Sequence, residues 1–145
     1  MLIHVVILFI RATLAWFVIL VIAVVNGAFR EAFVRPHFGN FAAELVGAAL
    51  LSAACFIAAA LLMRHAGLAW ISAAWRVGSL WLAMTVIFEF GFFHYIGGRS
   101  WRELLAAYHF WEGRLWVLVL ISTFCAPFVG GWLQAKKQSA IGFRK

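Results

Sequence analysis

The run Val86-Ile87-Phe88-Glu89-Phe90-Gly91-Phe92-Phe93-His94-Tyr95 sets one carboxylate inside a segment so apolar that a lipid bilayer is its natural solvent. Glu89 lies thirteen residues beyond Arg76, the preceding basic residue, or about 20 Å along a helix. A hydrocarbon core is about 30 Å thick, so this acid is expected well inside it. An ionisable group at that depth needs a partner or a purpose.

The rest of the chain has the same character. Of 145 residues, 66% are hydrophobic and only 12% charged, whereas soluble domains carry roughly a quarter charged residues. The composition predicts an integral membrane protein. The net charge of +7 does not point to nucleic acid, which requires basic residues gathered on one water-facing surface. Here they punctuate apolar runs. Cys55 and Cys125 each fall mid-segment without metal-ligand spacing and read as small packing hydrophobes. The first apolar run has no basic region before it, contains Arg11 and is followed by no small-residue cleavage site, so it is expected to stay as a membrane helix.

Working outward, the apolar runs predict an all-α, integral membrane four-helix bundle in a single domain, residues 1–145, with spans at about 13–29, 41–63, 71–96 and 115–133. Residues 1–12 either lengthen the first span or lie at the interface. Pro36 is expected to end the first helix at Arg35, with His37-Phe38-Gly39-Asn40 as the turn. The second span is crowded with alanine and glycine, which let helix backbones approach closely; this predicts a central helix, with self-association through its small-residue face as a further option. Gly97-Gly98 breaks the third span. Ser100-Trp101-Arg102-Glu103 then reads as a capping box opening a short amphipathic helix at about 101–111, which lies on the bilayer through an anchor of Trp101, Tyr108 and Trp111. Pro127 marks a kink site in the fourth span. Residues 134–145 form a basic tail.

Four spans put both termini on one side, and the basic tail makes that side the cytoplasm of a bacterial inner membrane. Arg11, Arg64, Arg76, Lys136, Lys137, Arg144 and Lys145 then lie inside, with no acid among them. The opposite end gathers five arginines, all five acids and three of the five histidines, His37, His94 and His109. A polar site is expected there, drawn from Asn26, Arg30, Glu31, Glu89, His94 and Arg114. Two readings of Glu89 stay open. Arg30 or Arg114 snorkels inward to pair with it and fixes helix register, or Glu89 binds a ligand or proton in a pocket lined by Asn26, Arg30 and His94. A metal centre built from Glu89, His94 and His109, completed by His37 or Glu112, lacks tight ligand spacing, so no metal, cofactor or catalytic residue is assigned.

The pattern Asn-Gly-Ala-Phe-Arg-Glu at 26–31, Phe-Glu-Phe at 88–90 and Trp-Arg-Glu-Leu-Leu-Ala-Ala-Tyr at 101–108 leading to Gly-Arg-Leu-Trp at 113–116 resembles a group of small, uncharacterised bacterial inner-membrane proteins with four spans. The resemblance implies membership and no mechanism. From the residues themselves, the first expectation is a non-enzymatic accessory or assembly subunit docking on a larger membrane-protein complex, because the chain shows no nucleotide loop and no catalytic spacing. A homo-oligomeric transporter or channel using Glu89 is the alternative, and an intramembrane enzyme acting on lipid or quinone the third reading.

Overall fold

In hydrocarbon a backbone N–H or C=O has no solvent partner, so apolar runs of this length must satisfy their own backbones as helices. The computed structural model describes residues 2–66, 69–98, 100–102 and 115–142. Among these the chain is helical with no strand: α1 spans Leu2–Phe29, α2 Arg35–Leu62, α3 Trp70–Gly91 and α4 Trp116–Gly142. A π-helical turn at Arg30–Val34 joins α1 to α2, and another at Phe92–Ile96 extends α3. Three helical runs are long and apolar enough to cross a membrane: Ile3–Leu62, Trp70–Ile96 and Trp116–Ala140. Their outward faces carry exposed Leu14, Phe17, Val18, Val21, Val25, Ile57 and Ile121, a contiguous apolar exterior that water would not tolerate and lipid would.

The first run is not straight. Asn26 Nδ2 donates to Gly47 O at 2.9 Å although the residues are 21 apart in sequence, a separation that would hold them about 31 Å apart on one continuous helix. The chain therefore doubles back between them. The reversal is at Gly39, whose φ of 82° and ψ of 176° interrupt the helix, a conformation glycine adopts without the penalty a Cβ would bring. This differs from the expected stop at Arg35. The Arg35 N–H reaches back five residues to Arg30 O, and Pro36 follows in the first turn of α2, where a missing N–H costs little. Helix thus passes through the proline and breaks three residues later. At the other end, α1 begins at Leu2, so residues 2–12 continue it as helix.

α2 packs on α1 and most extensively on α4, while α3 packs on α4 and α1. The contact stripe of α2 is Ala43, Gly47, Leu51, Cys55 and Ala59, all buried and spaced every four residues. The small-residue face is thus spent on packing within the chain. Close approach depends on glycines. A Cβ on Gly130 would lie 2.9 Å from the Ala59 carbonyl carbon, and one on Gly78 would lie 2.6 Å from Phe124 O. Neither has room for a side chain.

Two indoles lock α3 to α1. Trp81, fully buried, donates Nε1–H to Ala12 O at 2.8 Å. Trp16 donates to Thr85 Oγ1 at 3.0 Å, and that hydroxyl donates in turn to Trp81 O at 2.8 Å. Each helix therefore supplies a donor to the other. Cys55 and Cys125 are free thiols, the first buried against Thr123.

Packing and hydrogen bonding make unequal demands here, and two substitutions separate them. Overpacking typically costs about 1–3 kcal/mol, whereas interhelical hydrogen bonds in membranes average about 0.6 kcal/mol. Gly78→Val should therefore lower the unfolding temperature in detergent clearly more than Thr85→Val, which keeps the side-chain shape and loses only the hydroxyl. Equal losses would show that the α3–α4 contact has slack the geometry denies.

Candidate functional site

The reversal at Gly39 lays the end of α1 along the start of α2, and this brings polar residues of both into contact. Asn26, in the last turn of α1, and Arg30, which opens the π-helical turn, are four residues apart and face α2 together. Asn26 bonds Gly47 O. Arg30 lays its stem over the same glycine, where a Cβ would meet Arg30 Cδ at 3.0 Å. The absence of a side chain at Gly47 is what lets the guanidinium cross to α2.

Beyond that crossing, four charges close a ring. Arg30 Nη1 meets Glu44 Oε2 at 3.3 Å and Arg30 Nη2 meets Glu31 Oε1 at 3.2 Å. Arg35 Nη2 meets Glu31 Oε1 at 3.0 Å and Glu44 Oε1 at 3.5 Å. Each carboxylate bridges both guanidinium groups, so the ring is electrically neutral and self-satisfied. The π-helical turn supplies part of the geometry by carrying Arg30 and Glu31 towards Arg35. Exposure is uneven. The side chains of Arg30 and Glu44 are 28% accessible, whereas Glu31 is 50% accessible and more fully screened by solvent. Asn26 Oδ1, Arg30 Nε and Arg35 Nε are buried and have no hydrogen-bond partner. One acceptor and two donors are thus left at the inner side of the ring.

Glu89, near the end of α3, takes a different partner. Trp116 in the first turn of α4 donates Nε1–H to Glu89 Oε2 at 2.6 Å, a short hydrogen bond between the two helices. Arg30 pairs with Glu31 and Glu44 and not with Glu89. His94, in the π-helical turn that extends α3, stacks on Trp101 with ring centroids 4.0 Å apart, and Phe90, four residues earlier, stacks on the same indole at 5.9 Å.

The expected site therefore separates into two groups. Asn26, Arg30 and Glu31 come together on the α1–α2 hairpin, joined by Glu44, Arg35 and Gly47. Glu89 near the end of α3 and His94 on its π-helical extension each meet an indole. Arg114, Tyr108 and Trp111 lie outside the described residues, as do His109, Glu103, Glu112 and most of the expected surface helix; Trp101 and Arg102 are its described part and are helical. Among the described residues no three His, Cys, Asp or Glu side chains converge as metal ligands. Glu44, Gly47 and Trp116 were not anticipated as site residues. The first two had a readable signal, because Glu44 and Gly47 lie 7 and 10 residues after His37 while Arg30 and Asn26 lie 7 and 11 before it, the pairing rule of an antiparallel hairpin.

The ring makes an asymmetric demand on its two acids. Glu44→Gln, which takes charge from the less exposed bridge, should cost about 1–2 kcal/mol, between the surface and buried limits for an ion pair. Glu31→Gln should cost under about 1 kcal/mol. Chemical unfolding in detergent at low and high salt measures both. A Glu31 effect as large as that of Glu44 would mean the ring is not closed in solution.

No known protein family, curated protein or solved structure matches this chain.

Proposed function

We propose that the chain is a four-span bundle of the bacterial inner membrane, with both termini cytoplasmic, that serves as a non-enzymatic accessory or assembly subunit docking on a larger membrane complex. The fold-back at Gly39 supports counting the first helical run as two spans. The acid-free cations at the ends of α2 and α4, against acids at the other end, support the orientation.

The observation that carries the reading is how the chain spends its residues. Trp81, Met63, Val77, Cys55 and Pro127 are fully buried between the helices, and the described carboxylates at the outer end bind guanidinium or indole groups. A single copy thus offers its partners surface rather than a passage or a reacting centre. The broadest surface is α1, held by Ala12, Trp16 and Ile19 and otherwise presenting Leu14, Phe17, Val18, Val21 and Val25 outward. Ridges of such side chains can interdigitate with the grooves of a partner helix.

The second reading, a homo-oligomeric transporter, draws on Glu89, whose carboxylate is held at the junction of α3 and α4. The two differ in what touches α1. A photo-crosslinking residue at Val18 or Val21 in native membranes should yield adducts with a defined foreign protein. Adducts with a second copy would favour the oligomer, and adducts with lipid alone would remove the docking reading. Orientation has its own check: a green fluorescent protein fused after Lys145 should fluoresce, and alkaline phosphatase in the same place should be inactive. Active phosphatase would reverse the topology.

A further inference from the structure

Four phenyl rings stand around the charge ring at the α1–α2 reversal, and none is buried. Phe29, Phe33, Phe38 and Phe41 are 47%, 60%, 74% and 64% exposed. They do not form one face. Phe29 and Phe33 stack on each other along the end of α1 and its π-helical turn, with ring centroids 5.6 Å apart, whereas Phe41 lies two residues before the buried Ala43 and so on the far side of α2. A single partner helix would cover one of these sides and leave the other bare. From Phe29 to Glu44 the charged residues are Arg30, Glu31, Arg35 and Glu44, and these four pair among themselves. His37, the remaining titratable side chain of the segment, sets its Nδ1 2.8 Å from Phe33 O.

We propose that this reversal is embedded in the phospholipid leaflet at its end of the bundle, with Phe29, Phe33 and Phe41 packed among lipid and the charge ring at the edge of the hydrocarbon, instead of projecting into water. The proposal rests on the reading that the helices cross a bilayer. Arg30 lies nineteen residues beyond Arg11, about 28 Å along α1, close to the full thickness of a hydrocarbon core. With Arg11 at one boundary, Arg30 falls at the other, and Phe33 about 4.5 Å further on is still within the headgroup layer. Lipid is the occupant that reaches both sides of a hairpin at once. A ring of paired charges with no net charge can lie at that depth, where an unmatched arginine or glutamate would be drawn out to water. The break at Gly39 sets the upper limit: irregular backbone facing lipid is not tolerated in hydrocarbon, so the turn itself stays in the hydrated headgroup layer. The hairpin then fixes the depth of the bundle from this end.

Nitroxide labels test this, because molecular oxygen concentrates in lipid and a polar nickel chelate in water. The full-length protein carrying Cys55→Ala and Cys125→Ala, reconstituted into dioleoyl phosphatidylcholine vesicles, is labelled in turn through Val21→Cys, Phe33→Cys, Phe41→Cys and, on the exposed tail helix, Gln138→Cys. Collisions with oxygen should exceed those with the chelate at positions 21, 33 and 41, most strongly at 21, and the ratio should invert at 138. Chelate in excess at 33 or 41, with oxygen still in excess at 21, would overturn the proposal and leave the bilayer reading standing. Chelate in excess at all four positions would remove both. Labels at 33 and 41 screened from both reagents would show that a second copy covers the hairpin, and would overturn the proposal equally. If Phe33→Cys loses its helical circular dichroism, Phe41→Cys decides.

Discussion

Hydrocarbon offers no hydrogen bond, so each polar group placed within it must be answered by another part of the chain. That constraint orders the contacts of this protein. Four side-chain donors go to groups on neighbouring helices: Trp81 to Ala12 O, Asn26 to Gly47 O, Gln134 to Ala60 O, and Trp16 to the hydroxyl of Thr85. Three of the four acceptors are backbone carbonyls already engaged within their own helices. A carbonyl oxygen has a second lone pair, and these side chains use it. The result is a set of cross-links between helices that disturbs no helical ladder.

Such bonds require the helices to be close, and closeness is secured by the residues that lack side chains. Lipid tails are as apolar as leucine, so burial alone gives little reason for one helix to prefer another over lipid. What distinguishes the two is contact density. At Gly78 and Gly130 backbone lies against backbone with no space for a methyl group, and dispersion, weak per atom pair, accumulates along the seam. At Gly47 the same absence of a side chain has a second consequence, because it opens the path by which Arg30 reaches Glu44. Glycine is thus a packing device on α3 and α4 and a passage for charge on α2.

That the chain is helical, with helices long and apolar enough to cross a membrane, was legible because both rest on length and hydropathy, which depend on no tertiary contact. The small-residue content of the second apolar run likewise pointed to close packing, and Ala43, Gly47, Cys55 and Ala59 are buried as that content implies. Local rules did less well where geometry could compensate. Pro36 argued for a helix end at Arg35, but a π-helical turn removed the conflict and the break moved to Gly39. The site was legible as a set of residue types and not as a set of contacts. Grouping Glu89 with Arg30 follows from seeing both near one end of the chain's helices, yet which acid an arginine reaches depends on helix rotation. Rotation is set by Gly47 and by the two indole bonds, and none of these is visible as a periodicity. Trp16 and Trp81 illustrate the same gap, since a tryptophan is ordinarily read as an interface residue and these two work as donors between helices.

The two ends of the molecule handle charge in opposite ways, and the difference follows from chain geometry. At the end that holds the reversal, a tight turn forces Arg30, Glu31, Arg35 and Glu44 into mutual reach, and opposite charges in reach neutralise one another. At the other end the described cations sit on four separate elements with no acid supplied to meet them. A neutral ring has little long-range field and acts only on what touches it. A rim of one sign projects a field over about a Debye length, roughly 10 Å at moderate salt, and so attracts anionic headgroups before contact. The first arrangement holds two helices in register; the second leaves cations of one sign exposed, and they act on any anionic surface within that distance.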